Sequence, residues 1–223
     1  MNRALSVVGF FLISGYAVGA NEDIQRSCPA AAKYFEDKSR DAQGSVEVNQ
    51  PVPTRPELRD ELVRMAAADQ EVRKNLPKDT AAASAALKKI DAPNLARLKA
   101  IVSEVGFPRR ALVGDEGVDA AWLLVQHAWG DVGFQEQMLA KITPLVKSGE
   151  ISNEQFALLT DRVLIHENKP QRYGSQVYFE KNNAIARPIE DAEHVDQRRK
   201  DLDMMPMSDY LCVSAVVRSR TSK

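Results

Sequence analysis

Residues 114–131 read GDEGVDAAWLLVQHAWGD, and the chain continues as VGFQEQMLAKITPLVKSGE (132–150), ISNEQFALLTDRVLIHENK (151–169) and PQRYGSQ (170–176). Apolar residues recur at helical spacing in each of the first three segments. Val118, Ala121, Trp122, Val125 and Trp129 share one side of a helix predicted over Gly117–Trp129. Phe134, Met138, Leu139, Ile142 and Val146 do the same over Gly133–Lys147, with Pro144 near the end and Gly149 beyond it. Ser152 and Gln155 have capping-box spacing and open a third helix to His166, with Phe156, Leu159, Val163 and Leu164 inward. Short loops between consecutive helices favour antiparallel neighbours, hence a bundle.

Upstream, Asp91 and Pro93 are expected to start a helix buried through Leu95, Leu98, Ile101, Val102 and Val105 and stopped by Gly106. Thr80–Leu87 is Ala-rich and helical by propensity. Thr54 and Glu57 have capping-box spacing, and Leu58, Leu62, Met65, Ala68, Val72 and Leu76 then form an apolar stripe that Pro77 ends. Residues 41–53 are polar, with Gly44, Pro51 and Pro53, and read as a loop after one short helix around Ala30–Asp37.

Downstream, QVYFE (176–180) and AIAR (184–187) flank Lys181-Asn182-Asn183 and predict a hairpin. A charged, mostly solvated helix is expected over Glu190–Asp201. Ser208 is expected to cap a last helix carrying Leu211, Val213, Val216 and Val217. The predicted fold is mainly α, a helical bundle with a small β-hairpin in the C-terminal third. The predicted organisation is a secretory signal peptide (1–20), an N-terminal extension or linker (21–53) and a single helical domain (54–223).

The signal rests on Met1-Asn2-Arg3, the apolar run Ala4–Val18 and the small residues Val18-Gly19-Ala20, a pattern that places cleavage before Asn21. An uncleaved anchor is the alternative, although the run is short and diluted by Gly9, Ser14 and Gly15. The expected location is the periplasm or outside the cell, with no stable membrane span after cleavage. Cys28 and Cys212 are the two cysteines. In an oxidising compartment they can close most of the chain into one loop, worth about 4–5 kcal/mol in the chain-entropy model, and two buried thiols are the alternative.

Hydrophobic residues make up 44% and charged residues 27%, an ordinary globular balance that excludes wholesale disorder. Thirty Lys and Arg against 31 Asp and Glu leave no field to draw a polyanion, so no nucleic-acid partner is expected. No CxxC or clustered Cys/His spacing implies a metal, and no cofactor is implied.

The polar residues that interrupt the apolar faces are the candidate site. His127 sits inside WLLVQHAW and suits an acid–base role or a satisfied core position. Asp161 is a candidate to orient an imidazole, so His127 and Asp161 are the expected catalytic pair. Arg162 suits an anion, and His166 lies four residues on, on the same face. Gln171, Tyr173 and Gln176 surround Gly174 just before a strand and are expected to bind a polar ligand or to tie the loop down. There is no G-x-S-x-G elbow to make Ser175 a nucleophile.

With those residues in view, the chain resembles the uncharacterised bacterial family DUF6624. The resemblance is carried by Gly106-Phe107-Pro108, the Gly114 segment, Leu124-Val125-Gln126-His127-Ala128, Leu159-Thr160-Asp161-Arg162-Val163, Gln171-x-Tyr173-Gly174-Ser175-Gln176, Pro188-Ile189-Glu190-Asp191 and Arg198-Arg199. It covers about residues 95–210. It implies no activity, cofactor or catalytic residue. The chain has Trp129 where the family pattern often has an acidic residue, Asn168 where it has Gly, and Ser175 where it has Thr. Two functions are expected from these residues: a hydrolase- or transferase-like enzyme using a His–Asp pair on a polar small molecule, or a periplasmic binding or inhibitor protein of immunity type whose polar motif is structural and whose partner is a protein.

Overall fold

The stripe Leu58, Leu62, Ala66 and Asp69 shows how this sequence builds its helices and where it departs from simple patterning. All four are buried on one face of helix α3, Pro56–Lys74, at spacings of four, four and three. The computed structural model describes residues 18–44 and 52–221. Most of the expected signal sequence, residues 1–17, lies outside the described residues. Within them the chain is mainly α: nine α-helices and one two-stranded antiparallel hairpin. No described helix is long and apolar enough to cross a membrane.

The chain divides into two compact units. One is continuous, residues 49–159, and holds α3, α4 (Thr80–Val105), α5 (Arg110–Gln126), α6 (Val132–Lys147) and the start of α7 (Asn153–His166). The other joins residues 1–48 to 160–223, so the division falls inside α7.

In the continuous unit α3 packs along α5, and α4 lies against both. Gly117 is needed within α5 itself, since a Cβ there would stand 2.5 Å from Val113 Cβ, one turn earlier beside the Gly114 kink. The core includes Leu62, Leu98, Ile101, Trp122, Met138 and Ile142, each at most 1% exposed. The helix start expected at Asp91 and Pro93 does not occur: α4 runs through both. Its start is set by Asp79, whose carboxylate accepts from Ala82 N at 2.8 Å, while the Asp91 side chain is taken by Arg73 and does not cap. The expected Thr54–Glu57 box is also absent. Thr54 Oγ1 donates to Ala111 O, and Glu57 accepts from Arg55 Nε. By contrast, Ser152 and Gln155 cap α7 reciprocally: Gln155 N donates to Ser152 Oγ at 3.0 Å and Ser152 N to Gln155 Oε1 at 2.8 Å. Gly106 closes α4 at φ +73. Gly114 stands at φ +69, so the helical span of α5 is kinked there rather than beginning at Gly117.

The second unit comprises α1 (Val18–Ser27), α2 (Pro29–Gly44), the rest of α7, β1 (Val177–Glu180), β2 (Asn183–Ala186), a 3-10 turn Ala192–His194, α8 (Val195–Asp201) and α9 (Met207–Thr221). Where the sequence predicts an extension with one short helix, the described chain forms two, Val18–Ser27 and Pro29–Gly44, separated at Cys28. Ile24, Cys28, Ala31 and Ala32 are buried there and join Val177, Val195, Met205, Tyr210 and Val213 in one cluster. Cys28 and Cys212 are bridged across 184 residues. The hairpin pairs Val177 with Ala186 and Glu180 with Asn183, and Lys181 supplies a positive φ of 57° at its turn. The charged segment after it is less solvated than its composition suggests. Arg199 is 1% exposed and donates from Nε to Met205 O and from Nη1 to Tyr173 O.

Candidate functional site

Asp69 occupies a position that the stripe of α3 reserves for an apolar side chain, and a buried carboxylate there must find partners. It finds two. Arg73, one turn on, donates from Nε and Nη2 at 3.0–3.2 Å, and His127 Nδ1 lies 2.5 Å from Asp69 Oδ2. Arg73 Nη2 also donates to Asp91 Oδ1 at 2.5 Å. Four ionisable groups from α3, α4 and the end of α5 therefore form one network. Side-chain exposure is 1% for Asp69 and 3% for His127, rising to 10% for Arg73 and 18% for Asp91. Solvent therefore reaches the network from the Asp91 side.

The electrostatics follow from that gradient. Burial pushes the Asp69 carboxyl up, but hydrogen bonds and charge from His127 and Arg73 outweigh it and hold the group below the usual carboxylate range. Asp91 goes the other way. Burial, opposed by Arg73 and reinforced by the neighbouring Asp69, raises it to about 6. An ionised Asp69 only accepts, so the proton between it and His127 belongs to Nδ1. Arg73 Nε, 3.0 Å from the same nitrogen, is then directed to the Asp69 oxygens. In that tautomer the basic nitrogen of the ring is Nε2.

The structure gives Asp161 a different task from orienting His127, which is in the other unit. Asp161 is fully buried, and its carboxylate accepts three backbone N–H groups: Arg172 at 2.7 Å, Tyr173 at 2.9 Å and Ser175 at 2.8 Å. Burial raises its pKa against the pull of those three donors. Arg162 is buried beside it in sequence. His166 is half-buried, and burial, then the Arg162 charge, lower its pKa.

Gln171 is fully buried and works as a clasp. Its Oε1 accepts from Gln176 N, and its Nε2 donates to Gln176 O and Arg187 O. Its backbone bridges to Ile189, with Gln171 N donating to Pro188 O and Glu190 N to Gln171 O. Tyr173 contributes its backbone N–H to Asp161 and its carbonyl to Arg199. Gln176 donates from Nε2 to Ser175 Oγ at 3.2 Å. Tyr210 Oη donates to Ser175 O at 2.8 Å. Gly174, at φ +72, passes so close to Met207 and Ile189 that a Cβ would meet Met207 Sδ at 2.5 Å. Asn168 likewise takes a positive φ of 58°, the backbone region in which glycine is unstrained.

The site residues named from the sequence thus fall into two groups, His127 in the continuous unit and Asp161 to Gln176 in the other. Sequence reading missed Asp69, Arg73 and Asp91. Their signal was present: a carboxylate in phase with Leu58, Leu62 and Ala66, and an arginine four residues later. Among the described residues no group of three or more His, Cys, Asp or Glu is disposed to hold a metal ion. A shallow surface hollow lined by Arg109, Arg110, Ala111, Ser148 and Glu150 includes none of these residues.

The model of a family of unknown function, DUF6624, matches residues 56–217. No curated protein and no solved structure matches the chain.

Proposed function

The chain belongs to the family DUF6624, and on that footing we propose that it is an exported enzyme that performs acid–base chemistry on a polar small substrate through His127 and Asp69. The observation that carries this reading is the 2.5 Å contact of His127 Nδ1 with Asp69, inside a network completed by Arg73 and Asp91. A carboxylate on Nδ1 fixes the ring and stabilises the imidazolium that forms when Nε2 takes a proton from water or a substrate hydroxyl. Asp91, with a pKa of about 6 and the greatest exposure in the network, exchanges protons with solvent near neutral pH. A positioned acid or base of this kind supplies about 10²–10⁴-fold in rate. Buried ionic networks are poor sources of stability compared with apolar packing, which supports a functional reason for this one. The Cys28–Cys212 bridge fits an oxidising compartment and supports export.

The test is turnover of ester, amide, phosphate and glycoside reporters by the oxidised protein across pH 5–8 (roughly the span in which histidine titrates), beside Asp69→Asn and His127→Gln. Turnover that both variants lose while keeping native circular dichroism is the expected result. Turnover untouched in both variants sinks the reading.

A second reading, a periplasmic binding or inhibitor protein of immunity type, is favoured by the second unit, where the contacts of Asp161 and Gln171 are all internal. No turnover with any reporter, together with capture of a defined toxin domain by the wild-type chain, selects that reading.

A further inference from the structure

Residues 21–44 carry little that would hold them in place. Apart from Cys28, their large apolar side chains are Ile24, Tyr34 and Phe35, and most of the rest are alanine, polar or charged. The helices they belong to, α1 and α2, span 10 and 16 residues. Isolated helices of about that length are marginal in water. Both helices precede residue 56, where the family match begins.

Yet α1 and α2 both pack on α9. Ile24, Cys28, Ala31 and Ala32 are buried in one cluster with Val177, Val195, Met205, Met207, Tyr210 and Val213. From Tyr210 to Ser219 no residue of α9 is exposed. Helix α8 and strand β2 touch the same helix, so α1 and α2 complete its cover. The other ties are polar and lie at the surface. Tyr34 Oη donates to Asp203 O at 2.6 Å, Lys38 pairs with Asp203, and Arg220 Nη1 lies 3.1 Å from Asp23 Oδ2. Exposed pairs of this kind contribute little net stability. One isoleucine and two alanines bury too little apolar area to offset the ordering of about two dozen residues. What holds α1 and α2 is therefore the Cys28–Cys212 bridge. Its two sulfurs differ in access. Cys28 is 3% exposed and Cys212 only half-buried, so a thiolate from outside reaches Cys212 first.

We propose that α1 and α2 form a redox latch on α9, shut by the Cys28–Cys212 bridge and opened when a dithiol reduces it, the rest of the fold staying intact. One thiolate of the dithiol attacks Cys212 Sγ, the Cys28–Cys212 bond breaks, and Cys28 Sγ leaves as a thiolate that takes up a proton. The second thiol of the reagent then displaces Cys212 from the mixed disulfide. The protein gains two thiols and the dithiol becomes a disulfide, a two-electron exchange. The latch reads its surroundings: shut where disulfides persist, open where thiols are kept reduced. It stands whether or not His127 is catalytic.

The test is hydrogen exchange of the full chain, oxidised and after dithiothreitol, with thiol alkylation and intact mass establishing that both cysteines are reduced. Exchange over 21–44 should rise about a hundredfold, the scale that the chain-entropy model gives a loop of a few dozen residues. Helix α9, bared on one side, should follow to a lesser degree. Exchange in α3, α5 and α7 should stay as it was. Cys28→Ser combined with Cys212→Ser should match the reduced chain, and reoxidation should restore protection in the wild type. Unchanged exchange over 21–44 in the fully reduced chain overturns the latch, because packing alone then suffices. A rise throughout the molecule overturns it too, because the bridge then staples the whole fold. A bridge that the dithiol leaves intact without denaturant also ends the proposal.

Discussion

His127 Nδ1 stands 2.5 Å from Asp69 Oδ2, both side chains closed to solvent, with Arg73 spanning from Asp69 to Asp91. The pair joins the end of α5 to α3, so its loss is felt as stability as well as chemistry. Asp69→Ala should cost about 3–5 kcal/mol, because it leaves the Arg73 charge buried with half its partners. The urea midpoint gives the answer, and a change below about 1 kcal/mol would mean the network relaxes freely.

Asp91 gives a pH signature whose sign can be worked out. Its folded pKa of about 6 lies above the ordinary aspartate value of 3.8, so the folded state holds the proton more tightly than the unfolded one. The associated stability is fully present below pH 3.8 and is lost as pH rises through about 6. Asp91→Asn should therefore lose less stability than wild type between pH 4 and 7 (roughly the interval that brackets both pKa values). Parallel curves for the two proteins would remove Asp91 from the titration.

Glu150 works in the opposite direction. Arg109 and the backbone N–H of Arg110 hold it down to about 2, against an ordinary glutamate value of 4.5. Its contribution is present above 4.5 and is lost as pH falls through about 2. Glu150→Gln should lower the thermal midpoint at neutral pH, and the difference should close in acid.

Asp161→Ala strips three backbone N–H groups of their acceptor at once, those of Tyr173 and Ser175 buried and that of Arg172 part-buried. The expected loss is about 3 kcal/mol or more, read by denaturant unfolding. Hydrogen exchange should rise at Arg172, Tyr173 and Ser175 before it rises in α3 or α5.

Gly174→Ala meets both a positive φ and the Met207 and Ile189 side chains. It should destabilise by about 2 kcal/mol. Gly130→Ala, where a Cβ would have nothing within 4 Å, should stay within about 0.5 kcal/mol.

Local signals carried much of the fold. The Ser152–Gln155 box, the Gly106 stop and the hairpin around Lys181-Asn182 are all short-range chemistry, which a single sequence displays. What failed was decided at longer range. Pro93 reads as a start, yet α4 continues through it. Ala68 fits the α3 stripe as spaced from Leu62 and Met65, but the helix turns Ala66 and Asp69 inward, because α5 supplies His127 to meet a carboxylate there. No window of sequence contains that partner, 58 residues away. Within the candidate site, His127 was visible as a polar residue on an apolar face. Gln171 was visible too, although its three side-chain bonds tie the loop together.

The unit that contains the Cys28–Cys212 bridge is assembled from two segments that flank residues 49–159, which are contiguous. A polypeptide emerges from the ribosome or a translocation channel N-terminus first. Residues 49–159 can therefore complete their packing while α9 is still being made, and α1 and α2 must wait for a partner not yet synthesised. During that interval Cys28 is a thiol without its mate, open to pairing with other molecules. Newly made chains of this protein accordingly depend on their surroundings for the correct oxidation of one cysteine until Cys212 arrives.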